Sequence, residues 1–109
     1  MAEAYKVLGQ SNPIATTPTN VYTVPGATAA IISTITVCNR SAVATTFRIS
    51  VAVAGSGADN KQYIAYDAPI DGNDTISLTL GIPIAAADVV WVYATLATLS
   101  FGVFGIEVS

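Results

Sequence analysis

The sequence predicts an all-β chain folded as a single antiparallel β-sandwich of about eight strands, in a jelly-roll or immunoglobulin-like arrangement. Three observations carry this. Val, Ile and Thr supply 36 of the 109 residues, and β-branched side chains suit a pleated surface better than a helix. Apolar and polar residues alternate along several runs, the period of a half-buried strand. Turn residues recur roughly every 8 to 12 positions, the spacing of a sandwich or jelly roll, with a small closed barrel as the alternative.

The length suits one domain, residues 1–109, and is short for two. Ala4 to Leu8 reads as a short first strand closed by Gly9. Gln10 to Asn20 holds two prolines among Ser, Thr and Asn, the make-up of a connector. Residues 1–20 together form a candidate N-terminal docking arm, with Tyr5, Val7, Leu8 and Ile14 as its contacts; an edge strand plus loop within the sandwich is the alternative. Val21 to Val24 is a second short strand, stopped by the turn pair Pro25-Gly26.

Ala29 to Ala54 is the expected centre of the fold, two strand-patterned runs around a polar break at Asn39, Arg40 and Ser41. It reads as a hairpin, with Ser33, Ile35 and Val37 on one face of the first run and Phe47, Ile49, Val51 and Val53 on one face of the second. Gly55 to Asn60 is a small, polar, outward-pointing loop. Lys61 to Asp67 is a strand with Tyr63 and Asp67 on one face and Ile64 and Tyr66 on the other. Asp71-Gly72 marks a tight turn. Thr75 to Leu80 then turns Ile76, Leu78 and Leu80 inward.

Gly81 to Ala87 reads as a crossing segment, and Pro83, which has no N–H for a ladder, belongs at an edge or in that connection. Its stretch Ile82 to Ala87 holds one helical turn at most, and no other stretch is helical in pattern. Asp88 to Thr95 is apolar on both faces, Val89, Trp91 and Tyr93 against Val90, Val92 and Ala94, as in a strand covered on both sides, one of them by a partner subunit. Leu99 to Val108 closes the domain, with Gly102 and Gly105 as sites of a bulge or close backbone approach.

Charged residues make up only 10% of the chain, against a typical ~25%, and mean hydropathy is +0.59. The surface of so small a domain must then be largely Thr, Ser, Ala and aliphatic carbon, which favours association. A net charge of −3 with four scattered cations, Lys6, Arg40, Arg48 and Lys61, argues against a nucleic-acid partner. No apolar run is long enough for a membrane helix. Residues 1–10 lack the basic and apolar regions of a secretory signal, so the chain is expected to be made in the cytoplasm of its host, with nothing to indicate export by the usual route.

The sequence contains no histidine, which removes His-based triads and ordinary zinc sites. Cys38, alone and without such a base, reads as a small buried hydrophobe. Gly55-x-Gly57 continues into no phosphate-binding motif. Asp67, Asp71 and Asp74 are read as turn chemistry and not as a calcium site. The sequons at Asn39 and Asn73 are read as accidental, and Glu3 and Glu107 as two exposed carboxylates. The expectation is therefore a non-enzymatic protein with no catalytic residue, cofactor or metal. Trp91 with Tyr93 is either core and subunit contact or, less commonly for such residues, a sugar platform. Trp91, Tyr93, Phe101 and Phe104 are the candidate core and interface residues.

The stretches Y-K-V-L-G-Q, V-Y-T-V-P, S-T-I-T-V-C-N-R-S, A-T-T-F-R-I-S-V, N-K-Q-Y-I-A-Y-D, I-D-G-N-D-T-I-S-L-T-L-G-I and D-V-V-W-V-Y-A resemble, in similar order, small accessory proteins of tailed-phage particles. The resemblance covers nearly the whole chain. It implies a virion location and a structural role, as a capsid decoration or cement protein contacting the major capsid protein or other virion proteins. A neck, tail, baseplate or fibre component is the alternative, and a carbohydrate-binding adsorption module the further one. The stretch L-T-L-G-I-P-I-A-A-A-D-V-V-W-V is also similar to trimeric jelly-roll modules, which implies a homotrimer. Those modules usually place Gly before the Asp, where this chain has Ala87.

Overall fold

Alternating side chains make eight strands: β1 (Glu3–Ser11), β2 (Thr19–Thr23), β3 (Ala29–Asn39), β4 (Thr45–Ala52), β5 (Tyr63–Ile70), β6 (Thr75–Ile84), β7 (Val89–Ala94) and β8 (Leu99–Val108). They are seen in a computed structural model that describes residues 3–55 and 59–109. The centre of the outward loop expected at 55–60, and the first two residues of the expected arm, lie outside the described residues.

The strands pair as one long antiparallel ribbon, β1 with β8, β2 with β7, β3 with β6 and β4 with β5. The ribbon folds across itself through the β3·β8 and β4·β7 pairings into two four-stranded sheets, β1–β8–β3–β6 and β2–β7–β4–β5. This is the wrapping of a jelly roll, and it excludes the immunoglobulin-like and closed-barrel alternatives.

The β3–β4 hairpin expected at the centre does not form, because these strands belong to opposite sheets. A strand with one apolar face is equally satisfied beside its neighbour or facing it across a core. The connection at residues 40–44 takes the second course, spanning the ~10 Å between sheets. It is held by Asn39, which is 1% exposed. Asn39 Nδ2 donates to the carbonyls of Val43 at 2.8 Å and Asp71 at 3.2 Å, and its Oδ1 accepts from Ser41 N at 3.1 Å. One amide thus ties the β3–β4 crossing to the β5–β6 turn, so this sequon is structural. In the same turn Asp74 Oδ1 accepts from Thr75 N at 2.9 Å.

Phe47 and Phe101 meet edge to face at the centre of the core, centroids 6.2 Å apart. Ile32, Ile35, Ile49 and Val103 fill the space between the sheets with no exposure. Bulges reset the alternation along the way. Ser33 is the extra residue of β3 against β8. It is exposed and donates to the Phe104 carbonyl at 3.2 Å, so it does not share the face of Ile35 and Val37. On β6, the same irregularity leaves Leu80 39% exposed and pairs Ile82 with Ile32 instead. β6 therefore runs on through most of the expected crossing segment, and Pro83 sits on this edge strand as anticipated. Val53 lies beyond the end of β4 and is 71% exposed, not inward.

Asp88, 9% exposed, closes one end of the sandwich. Its Oδ1 accepts from Ala54 N at 3.0 Å and its Oδ2 from Ala85 N at 2.9 Å. Ala87, just before it, has φ 73°, a left-handed conformation that suits glycine far better than alanine. β1 adds little to the core beyond Leu8. It is held by its ladder to β8 and by Glu107, whose carboxylate meets Lys6 Nζ at 2.7 Å and accepts from the Tyr22 hydroxyl at 2.6 Å. Glu107 is thus an engaged, half-buried residue and not an exposed carboxylate; Glu3 is exposed.

Candidate functional site

Strand pairing turns alternate residues outward, so each sheet presents one outer face and the two look in opposite directions. On the β1–β8–β3–β6 face, register aligns Tyr5, Ile106, Ile31 and Pro83 in one row across all four strands. Tyr5 is 77% and Ile31 43% exposed. The next row begins with Val7, 51% exposed, beside Phe104. Farther along, Thr34, Thr36, Ser77 and Thr79 give a hydroxyl-rich belt. Among the described residues, Glu3 is the one charged side chain these strands place on this face. Cys38 also sits here, half-buried opposite Thr75, and is not a core residue.

The opposite face is built differently. Register places Asn20, Trp91, Ser50 and Tyr63 in one row across β2, β7, β4 and β5, with Tyr93 and Arg48 in the next. Asp67 adopts φ 49°, at the point where β5 slips against β4. That slip brings Tyr66 and Asp67 together onto Arg48, where the sequence alternation had separated them. Arg48 Nε donates to Asp67 Oδ1 at 2.7 Å. Its guanidinium carbon lies 4.2 Å from the ring centre of Tyr66 and 4.4 Å from that of Tyr93. Tyr63 meets Tyr66 edge to face at 4.9 Å. The Asp67 hydrogen bond raises the Arg48 pKa above its ordinary value, so the cation is fixed.

Beside this stack is a cleft of about 280 Å³ lined by Pro18, Arg48, Ser50, Tyr63, Trp91 and Tyr93, with Val92 behind them. Ser50 is 3% exposed. Trp91 Nε1 is buried and has no hydrogen-bond partner among the described residues.

The candidate interface residues therefore separate. Trp91 and Tyr93 line the cleft, Phe104 lies on the opposite outer face, and Phe101, 2% exposed, is locked in the core. Of the docking-arm residues, Tyr5 and Val7 point outward from β1, which pairs with β8 on one side, and Ile14, 68% exposed, lies in the connector. Leu8 sits in the β1 bulge, packed on the core. Within the expected arm, β1 forms an edge strand of its sheet. Sequence reasoning missed Arg48, Ser50 and Tyr63 as cleft residues and Ile31 as an exposed one. An arginine inside a strand pattern was the available signal for the first.

No group of three or more metal-ligating side chains occurs among the described residues, and no helix is long and apolar enough to cross a membrane. The chain matches no protein-family model and no curated protein.

Proposed function

We propose that the protein is a non-enzymatic structural protein of a phage particle, a capsid decoration protein that assembles with copies of itself through the outer face of the β1–β8–β3–β6 sheet. The observation that carries this reading is the uncharged row Tyr5–Ile106–Ile31–Pro83, open to solvent across four strands. Exposed apolar surface of this extent is what an interface covers. Four strands ~4.8 Å apart, with about nine residues each rising ~3.3 Å, give a face of roughly 570 Å². Two such faces bury about 1,100 Å², just beyond the ~1,000 Å² of a specific interface. With almost no charge on the face, copies meet without repulsion. The jelly roll is common among capsid proteins and lectins, but a fold alone assigns no function. The particle itself enters from the sequence resemblance, as does the trimer.

The test is the mass of the purified protein by light scattering at micromolar concentration. Self-association of the 11.2 kDa chain is expected: this face against its own copy closes a dimer, and the trimer that the resemblance implies requires a second, different patch. Ile31→Lys should give a folded monomer. A wild-type monomer overturns self-assembly. On purified particles, a high copy number supports decoration, and a few copies support the neck, tail, baseplate or fibre alternative.

A further inference from the structure

We infer that the cleft on the β2–β7–β4–β5 face binds one neutral pyranose ring, as presented by a host surface polysaccharide. Its volume is about 280 Å³, at the small end of ligand pockets, which begin near ~300 Å³. That admits a single substituted ring and little more.

The lining fits such a ring in two respects. Tyr63, Trp91 and Tyr93 supply aromatic surface, against which the C–H face of a sugar packs while its rim stays polar. Ser50, the tyrosine hydroxyls and the Arg48 guanidinium supply polar groups around that surface, the mixture of apolar walls and a few convergent polar groups typical of a ligand site.

The charge argument selects a neutral ligand. Arg48 already holds Asp67 at 2.7 Å and lies over the rings of Tyr66 and Tyr93, at 4.2 and 4.4 Å from their centres. An acidic ligand would have to share that cation with a carboxylate already on it. A hydroxyl meets no such repulsion.

The site is also rigid. Trp91 and Ser50 lie on the two central strands of the sheet, whose inward residues Val92 and Ile49 are buried in the core. A site carried on packed strands keeps its geometry before a ligand arrives. The indole N–H of Trp91 is shut from water without an acceptor among the described residues, a spare donor on a residue that lines the cleft. Finally, the cleft lies on the sheet opposite the proposed assembly face, so self-association leaves it open. This inference stands whether or not that assembly forms.

The experiment is saturation-transfer NMR and tryptophan fluorescence on the full chain with D-glucose, D-galactose, D-mannose, N-acetyl-D-glucosamine and D-glucuronate. We expect saturable binding of at least one neutral sugar with a dissociation constant on the order of millimolar, as a single small ring allows. Tyr63→Ala, on an edge strand, should weaken it at least tenfold. Trp91→Phe, which keeps an aromatic ring but removes the N–H, should weaken it about threefold. Ile31→Lys, on the opposite face, should leave it unchanged. The inference is overturned if no neutral sugar saturates at ten times that concentration, if binding survives Tyr63→Ala, or if glucuronate binds more tightly than glucose.

Discussion

Replacing Asn39 by alanine tests the connection that makes this chain a sandwich. The side chain is 1% exposed and makes three hydrogen bonds, at 2.8, 3.2 and 3.1 Å. Each such bond contributes about 1 kcal/mol net, so the set is worth roughly 2–3 kcal/mol, with the longest contributing least. A domain of this size loses about 4 °C of Tm per kcal/mol, giving an expected drop of roughly 8–12 °C. The assay is urea denaturation by circular dichroism at one fixed protein concentration, since association would otherwise shift the midpoint. The midpoint should fall with an unchanged slope. Asn39→Asp keeps an acceptor for Ser41 N but sets a carboxylate against the carbonyls of Val43 and Asp71, so it should cost at least as much. A loss below about 1 kcal/mol for alanine, or an aspartate variant as stable as wild type, would refute the staple, since lost bonds of this kind cost more.

Three further outcomes are expected. Ala87→Gly relieves a left-handed alanine at φ 73°; the gain, less the added chain entropy of glycine, is about 0.5–1 kcal/mol, and an unchanged or lower Tm contradicts the strain. Gly105→Ala drives a methyl group into the Ile31 carbonyl oxygen of the adjacent strand, and a loss of about 1–3 kcal/mol or more is expected in the same melts. Lys6, and then the Tyr22 hydroxyl, hold the Glu107 carboxyl below its ordinary value of 4.5. A depressed folded pKa stabilises above the unfolded value and ceases to as pH falls through the folded one. The stability gap between wild type and Glu107→Gln should therefore hold above the ordinary carboxyl value and close as pH falls below it, and a gap unchanged on acidification would remove Glu107 as the clasp on β1.

The strands themselves were legible because each carries its own period. Val89–Ala94, with Trp91 and Tyr93 against Val90 and Val92, is placed as the alternation implies. What alternation cannot convey is which strand lies beside which. β3 and β4 look like a hairpin because the same one-sided pattern serves two strands paired in one sheet or facing across a core. Faces were also lost wherever a bulge inserted a residue, as at Ser33, and at Asp67, whose left-handed turn swings Tyr66 onto Arg48. The cleft was half visible for the same reason. Trp91 and Tyr93 are close in sequence, whereas Ser50 and Tyr63 join them only through register. Phe101 and Phe104 read alike as aromatics on the last strand, and only their positions on opposite faces of β8 separate core from surface.

The ribbon that pairs β1 with β8 also dictates a timetable. β8 lies between β1 and β3 in the interior of its sheet, so β1 has no neighbour until β8 is made, whereas β3 already has β6 beside it. At roughly 5–20 residues per second, β1 waits many seconds for its partner. Contacts between such distant segments fold slowly as well, on the millisecond-to-second scale of non-local β proteins. During that wait the outward row is incomplete, because only β3 and β6 of its four strands can lie side by side. A chain that still lacks β8 therefore presents only the β3–β6 part of this face, and the self-association proposed for it would wait for the complete row.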